Sequence, residues 1–239
     1  MADRIPLEGQ AIILTTSNSR PTLNQRYNMT IQYLKAMKLL LTAGYQIEQS
    51  HVNEPFGDYF TDIMSYFSTL LILTGSMLDA NIYERFQDVK DSILSISSFN
   101  IIKLNNDWQN IKRRSGILSK YESFALMSGT TLDKNKPQYK DIEILVKVRN
   151  ALVHYVPQWD YEKTPSDAIE NCISQISSPI NYSPFISPTA PFFPNRCMSS
   201  GFGQWAINAS LDFLKYFEDS IPISNKYENL RNELQIVVP

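Results

Sequence analysis

The chain has 239 residues, enough to bury a substantial core, and one domain, with or without insertions, is the default at this length. Its composition, 43% hydrophobic and 19% charged, is ordinary for a soluble globular protein. A net charge of −2 excludes a global basic field, so any nucleic-acid binding has to use a local patch. The cysteines, Cys172 and Cys197, stand 25 positions apart with no CxxC pair and no histidine nearby, which argues against zinc and for reduced thiols.

The N-terminus, MADRIPLEGQAIILTT, carries an early acid and no long apolar core, so it does not read as a signal peptide. Ala11 to Thr16 is a short β-like run followed by the turn-forming SNSRP, which predicts an extended arm over residues 1–21. From Thr22, a plausible N-cap, Leu23, Tyr27, Ile31, Leu34, Leu41 and Tyr45 recur at helical spacing to about Gln49. Asn53 to Gly57 breaks the pattern with a proline. A second long helix is expected over about 58–88, with Phe60, Ile63, Met64, Phe67, Leu70, Leu71, Met77 and Leu78 on its buried face. Gly75 marks either a close helix crossing or a mere interruption. The greasiest run, Tyr66 to Ala80, is broken by Ser68, Thr69, Thr74, Gly75 and Ser76, so no bilayer span and a cytoplasmic location are expected.

Ser92 to Leu104 fits helix or strand equally well, because short apolar runs cannot be assigned by period. Trp108 and the basic triplet Lys112, Arg113 and Arg114 follow; they read as a solvated charge run, with phosphate contact as the alternative. A helix is predicted over 117–127, closed by Gly129 just past its C-cap.

Residues 136–159, KPQYKDIEILVKVRNALVHYVPQW, read as a helix that is apolar almost all the way round. Pro137 suits the first turn and Pro157 stops the helix. Ile142, Leu145, Val148, Leu152 and Val156 share one broad face, leaving Glu143, Lys147, Asn150 and His154 as a polar stripe. Arg149 lies outside that stripe among apolar neighbours. A charge there is costly unless it is paired or has a task, and a buried ion pair is its plain structural reading. The corresponding reading of His154 is a partly exposed structural histidine. His51 falls in a polar break and is not grouped with them.

Thr164, Pro165 and Asp167 suggest the start of a short helix to about Ile176. Prolines 179, 184, 188, 191 and 194 then exclude regular structure, while Phe185, Phe192 and Phe193 predict a wrap lying on the body. A last helix is expected over about 199–220, burying Trp205, Leu211, Phe213, Leu214 and Phe217 and ended by Pro222. The expected architecture is all-α, a four- to five-helix bundle with a long proline-rich loop before the last helix. Residues 22–239 are expected to form a single helical domain, with 157–198 an irregular insertion. No glycine-rich phosphate loop, HExxH, GxSxG or paired-carboxylate motif is present.

The string VRNALVHY, residues 148–155, resembles the signature of the HEPN superfamily: an arginine, a polar residue, a few more positions and a histidine. Here four residues intervene, beginning with Asn150. SKYESFAL (119–126), PFFPNRCM (191–198) and QWAINAS (204–210) also resemble one bacterial branch of that superfamily, so the similarity touches about residues 117–217. The resemblance implies an α-bundle homodimer that joins two motifs in one cleft, acting on RNA as a metal-independent endoribonuclease without a cofactor. It also implies toxin–antitoxin, phage-defence or RNA-processing settings, with an antitoxin or a nucleotidyltransferase as partner. Other members are inactive binding or assembly modules, and fold alone does not choose between them.

The residue chemistry is compatible with the catalytic reading. Cleavage through the ribose 2′-OH needs a proton acceptor, a proton donor and charge stabilisation at phosphorus. His154 can exchange protons near neutral pH, and Arg149 offers permanently charged planar donors. Asn150, one turn before His154, could orient the imidazole or bind phosphate. Lys147, Lys112, Arg113 and Arg114 are candidate phosphate contacts. One histidine in the motif is thin for acid–base work, and a two-fold copy would supply the second. The competing readings are a non-catalytic module that dimerises or partners a nucleotidyltransferase, and a nucleotide-binding module using the same Arg and Asn.

Overall fold

The computed structural model describes residues 10–14, 23–114, 116–157, 168–176, 178–221, 223, 231 and 234. The fold is all-α, a helical bundle carrying a two-stranded ribbon at its N-terminal end. In that ribbon β1 (Gln10–Leu14) runs antiparallel to β2 (Leu23–Tyr27), with Gln10 opposite Tyr27 and Leu14 opposite Leu23. The segment 23–27 was expected to open the first helix. Leu23 and Tyr27 are four apart, a spacing that shares a face in a strand as well as in a helix, and strand pairing decides the matter.

Helix α1 (Met29–His51) begins after Asn28, whose side chain makes no cap bond. Its free N-terminal donors are met from another helix: the Thr30 N–H and hydroxyl donate to the Glu84 carboxylate at 3.0 and 2.9 Å. Leu34, Met37 and Leu41, three and four apart, are fully buried against α2 (Tyr59–Lys90). At 32 residues α2 is the longest helix described, about 48 Å along its axis. It packs on α1 and on three later helices, α4 (Ile117–Met127), α5 (Pro137–Val153) and α7 (Ser200–Ser220), and is the hub of the bundle. Its apolar stretch is longer than Tyr66–Ala80. By length and composition alone α2 could cross a membrane, with a mean hydropathy of 1.3 over its most apolar window, of which 44% is buried within the protein.

The ambiguous stretch after α2 resolves into a turn region and then α3 (Ile101–Arg114), held by buried Leu104 and Ile111 and half-buried Trp108. Helix α4 occupies the predicted bounds, and Gly129 follows its C-cap Ser128 with φ of +84°, the left-handed conformation that a glycine adopts without a Cβ penalty. An aromatic cluster joins α4 to α7: Tyr121 meets Phe213 and Phe217 edge-on at 4.9 and 4.8 Å. The buried Tyr121 hydroxyl lies 2.9 Å from the Leu78 carbonyl and 3.0 Å from Asn81 Oδ1, which ties the cluster to α2.

Helix α5 stops at Val153, earlier than the apolar pattern through Val156 predicts. Pro157 restricts its neighbour to extended backbone, and the chain has already left the helix at His154. Val153, Tyr155 and Val156 are consequently exposed, Val156 to 69%. A short helix, α6 (Ala168–Ile173), follows; the proposed cap and first-turn residues Thr164, Pro165 and Asp167 lie outside the described residues.

Residues 178–199 lie on the body and are irregular except for one short π-helical turn over Phe192–Arg196, broken at Phe193, where the expected proline-rich loop had no helix. Phe185 packs on Tyr59 at 5.1 Å, and Phe192 on Phe202 at 5.2 Å. This wrap is fastened to the start of α7, where the Ser199 hydroxyl donates to the Asn181 carbonyl at 2.9 Å and accepts the Phe202 N–H at 3.1 Å. The cysteines carry free thiols; Cys197 is buried and its Sγ lies 2.9 Å from the Pro194 carbonyl.

Candidate functional site

At α5 the register turns Arg149 towards α2, and Gly75 is what allows it to lie there. A Cβ on residue 75 would stand 2.7 Å from Arg149 Nε and 3.1 Å from its Cδ, so the glycine marks a close crossing of side chain over backbone. The guanidinium Nη1 donates to Asn150 Oδ1 at 3.0 Å. Nε is buried without an acceptor. Among the described residues no carboxylate forms an ion pair with Arg149, so the plain reading of a buried ion pair does not hold for it. The result is a half-exposed cation, pressed on a helix backbone and oriented by one neighbouring amide. A phosphate or carboxylate oxyanion is the kind of group to which such a planar guanidinium donates.

His154 is the first residue past α5 and its backbone N–H donates to the Asn150 carbonyl at 3.0 Å. Its imidazole is exposed and makes no side-chain hydrogen bond among the described residues. Asn150 is also exposed, so the side chains of Asn150 and His154 are both open to solvent at the C-terminal end of α5, one turn apart. The expected stripe from Lys147 through His154 is cut short there because the helix ends. Lys147 itself pairs with Glu143 one turn back, at 3.6 Å, with both side chains half-exposed. Tyr155 then lies 6.0 Å, ring to ring, from Phe193 of the wrap.

The other candidate cations are elsewhere. Lys112 and Arg113 are exposed on the last turn of α3, and the Arg114 side chain lies outside the described residues. The Lys112 ammonium is 5.9 Å and the Lys90 ammonium 4.9 Å from the centroid of Trp108, and Tyr83 donates to the Lys112 carbonyl at 2.9 Å. Tyr83 to Lys90 are 8 to 15 residues along α2 from Gly75, roughly 12–22 Å at 1.5 Å per residue. The basic run therefore does not share a cleft with Arg149 within one chain. His51 is fixed at the other end of α2, stacked 4.2 Å from Tyr59, with Nδ1 2.9 Å from the Ile47 carbonyl.

Two features escaped the sequence reading. Arg85 is the arginine that fulfils the buried ion-pair account: it is 2% exposed and pairs with Glu218 of α7, itself 1% exposed. The signal was available, since Arg85 follows Leu78 and Ile82 at helical spacing and Glu218 follows Leu211 and Leu214. The second is a cavity of about 490 Å³ between α1, α5, α7 and the wrap, lined by residues scattered from Tyr45 to Asp212. No sequence spacing announces it. Among the described residues, no group of three or more His, Cys, Asp or Glu side chains is placed to hold a metal ion. No family model, no curated protein and no solved structure matches this chain.

Proposed function

We propose that the chain is a HEPN-type, metal-independent endoribonuclease whose working site is completed by a second copy. One observation carries the reading: Arg149 pairs with no carboxylate among the described residues, is held over Gly75 and by Asn150, and lies five residues before the exposed His154. In this scheme Arg149 neutralises the phosphate oxygens as negative charge develops on them. His154 removes the proton from the ribose 2′-OH, and the second copy's His154 protonates the departing 5′-oxygen. Asn150 keeps the guanidinium in register. The apolar residues Val153, Tyr155 and Val156, exposed beside His154, supply a surface on which a second copy can dock around the two-fold axis.

The test is RNA incubated with the purified protein in excess EDTA, beside His154→Ala and Arg149→Met. Cleavage by the wild type, reduced about 100-fold or more in each variant, is expected. Equal persistence of RNA with wild type and variants across several substrates would defeat the catalytic reading. Light scattering across a dilution series checks the dimer.

A second reading has its own support. Lys112 packs beside Tyr83 and Trp108, away from the Gly75 crossing of Arg149, Lys147 is paired with Glu143, and no group among the described residues orients the His154 ring. These features favour a non-catalytic HEPN-like module that binds a partner such as a nucleotidyltransferase, or a nucleotide, through the same Arg149 corner. A thermal shift with nucleoside triphosphates, abolished by Arg149→Met, would favour the nucleotide version.

A further inference from the structure

Where α3 packs on the later turns of α2, the surface alternates cations with aromatic rings. Trp108 of α3 meets Tyr83 and Phe86 of α2 edge-on, at 6.0 and 5.6 Å. The Lys90 ammonium lies over the indole at 4.9 Å and the Lys112 ammonium at 5.9 Å, both within cation–π range. The Lys120 ammonium lies over the Tyr83 ring at 4.6 Å, and the Tyr83 hydroxyl donates to the Lys112 carbonyl at 2.9 Å. Two rings set edge to edge therefore carry three ammonium groups. A free lysine loses much rotamer freedom when a ligand fixes it, and here the rings place the ammoniums beforehand.

The three lysines differ in what else they meet. Lys120 is buried and its charge is matched by Asp79 at 2.8 Å. Lys90 and Lys112 are exposed, and neither pairs with a carboxylate among the described residues. The acids along these turns are engaged elsewhere. Asp88 and Asp91 pair with Arg26 at 2.9 and 3.5 Å, Asp107 pairs with Lys103 at 2.6 Å, and the Glu84 carboxylate accepts from Thr30. Arg113, also exposed, follows Lys112 on the last turn of α3 and likewise pairs with no described carboxylate. The chain as a whole carries a charge of −2, so this gathering is a local positive patch against a weakly negative background.

The complement of such a patch is a chain of anionic groups. Ammoniums lie over the Trp108 and Tyr83 rings, so the patch presents charges in place of open ring faces for stacked bases. Phosphates spaced along a nucleic-acid strand meet charges of this kind without regard to sequence. At the far end of α5, Lys147 is already paired with Glu143, so a strand reaching Arg149 draws its grip from cations elsewhere.

We propose that this patch is an exosite that holds the phosphate backbone of a single RNA strand, independently of sequence, through Lys90, Lys112 and Arg113. The choice of RNA rests on the ribonuclease reading. The patch itself is separate from Arg149, which crosses α2 at Gly75.

The experiment is fluorescence anisotropy of a labelled single-stranded RNA about twelve nucleotides long, titrated with the full chain carrying His154→Ala, in EDTA, over a range of salt. Binding is read without cleavage, so failure of the exosite and failure of the ribonuclease reading are separate results. Saturable binding is expected, with oligo(U) and oligo(A) alike within about threefold. Adding Lys90→Gln and Lys112→Gln should weaken it about tenfold or more. The same pair should lower the slope of log affinity against log salt by about 1.4, the share of two phosphate contacts on a single strand. Lys136→Gln with Lys140→Gln, an equal charge change at exposed positions where α5 begins, should leave binding within about twofold. Circular dichroism establishes that each variant is folded. Absence of saturable binding overturns the proposal, as does equal weakening by the two lysine pairs, which would make the effect one of net charge. Tighter binding of a polyglutamate peptide of equal charge also overturns it, in favour of an acidic protein partner.

Discussion

Arg85 and Arg149 both stand in apolar helical registers, both at the surface of α2, and they have opposite fates. Arg85 leaves α2 for α7 and is enclosed with Glu218, with Asp88 3.9 Å away and Arg26 bridging to Asp88 at 2.9 Å. Arg149 reaches α2 from α5, remains half-exposed, and among the described residues has an amide and a glycine for neighbours in place of a carboxylate. Taking a charge wholly out of water is tolerable only with close countercharge, so full enclosure and pairing go together at Arg85. A half-exposed guanidinium keeps part of its hydration and can stay uncommitted. The difference separates a charge that holds the bundle together from one that is available to a ligand.

The largest expected effect comes from breaking the first of these. Arg85→Met leaves Glu218 buried without its partner and should lower unfolding stability by about 3–5 kcal/mol in urea denaturation. Adding Glu218→Leu to Arg85→Met removes the stranded charge and should restore most of that loss. If the single variant is as stable as wild type, the pair is not a fastening. Arg149→Met should behave in the opposite way, with stability within about 1 kcal/mol of wild type and RNA cleavage down about 100-fold. Unfolding of that variant would erase the contrast between the two arginines.

Gly75→Ala sharpens it further. The added Cβ would meet the far end of a flexible side chain at 2.7 Å, so Arg149 has to move and the backbone does not. The gain in helix propensity, about 1 kcal/mol, offsets the displaced contacts, and thermal stability should change little. Cleavage should fall nearly as far as in Arg149→Met; unaltered cleavage would mean that the Arg149 position over α2 is irrelevant to activity.

The smallest effect concerns Glu48. Burial raises its carboxyl above the ordinary range, ahead of the opposing Ser200 contact, so the folded state holds the proton more tightly than the unfolded chain does. Stability is therefore lost as pH climbs from the unfolded carboxylate value, about 4, towards the folded one, and the penalty remains at neutral pH. Glu48→Gln should gain melting temperature over wild type at pH 7, and the gap should shrink towards pH 4. A gap that is constant with pH would show that Glu48 ionises alike in the folded and unfolded chain.

Elements with a local chemical signature were legible. The bounds of α4 and its closing Gly129, the extent of α7, and the wrapping role of Phe185 and Phe192 follow from short-range rules. The segment Leu23–Tyr27 was not legible, because an apolar pair four apart suits two periods and only its pairing with Gln10–Leu14 decides between them. The end of α5 was misjudged for a related reason: apolar residues continue to Val156 although the helix does not, so pattern overran structure.

By itself the sequence determined the all-α class, the bounds of α2, α4 and α7, and the Arg149, Asn150, His154 string, because helix periods, caps and proline breaks act over a few residues. Only the tertiary structure decided that α2 is the hub, that Arg85 carries a buried ion pair, and that Lys112 packs beside Tyr83 and Trp108 while Arg149 crosses α2 at Gly75. It alone assembled the cavity that Glu48, Asp141 and Asp212 line. Those outcomes depend on which charges meet across helices scores of residues apart. Countercharge and burial are properties of that meeting, and no local spacing encodes them.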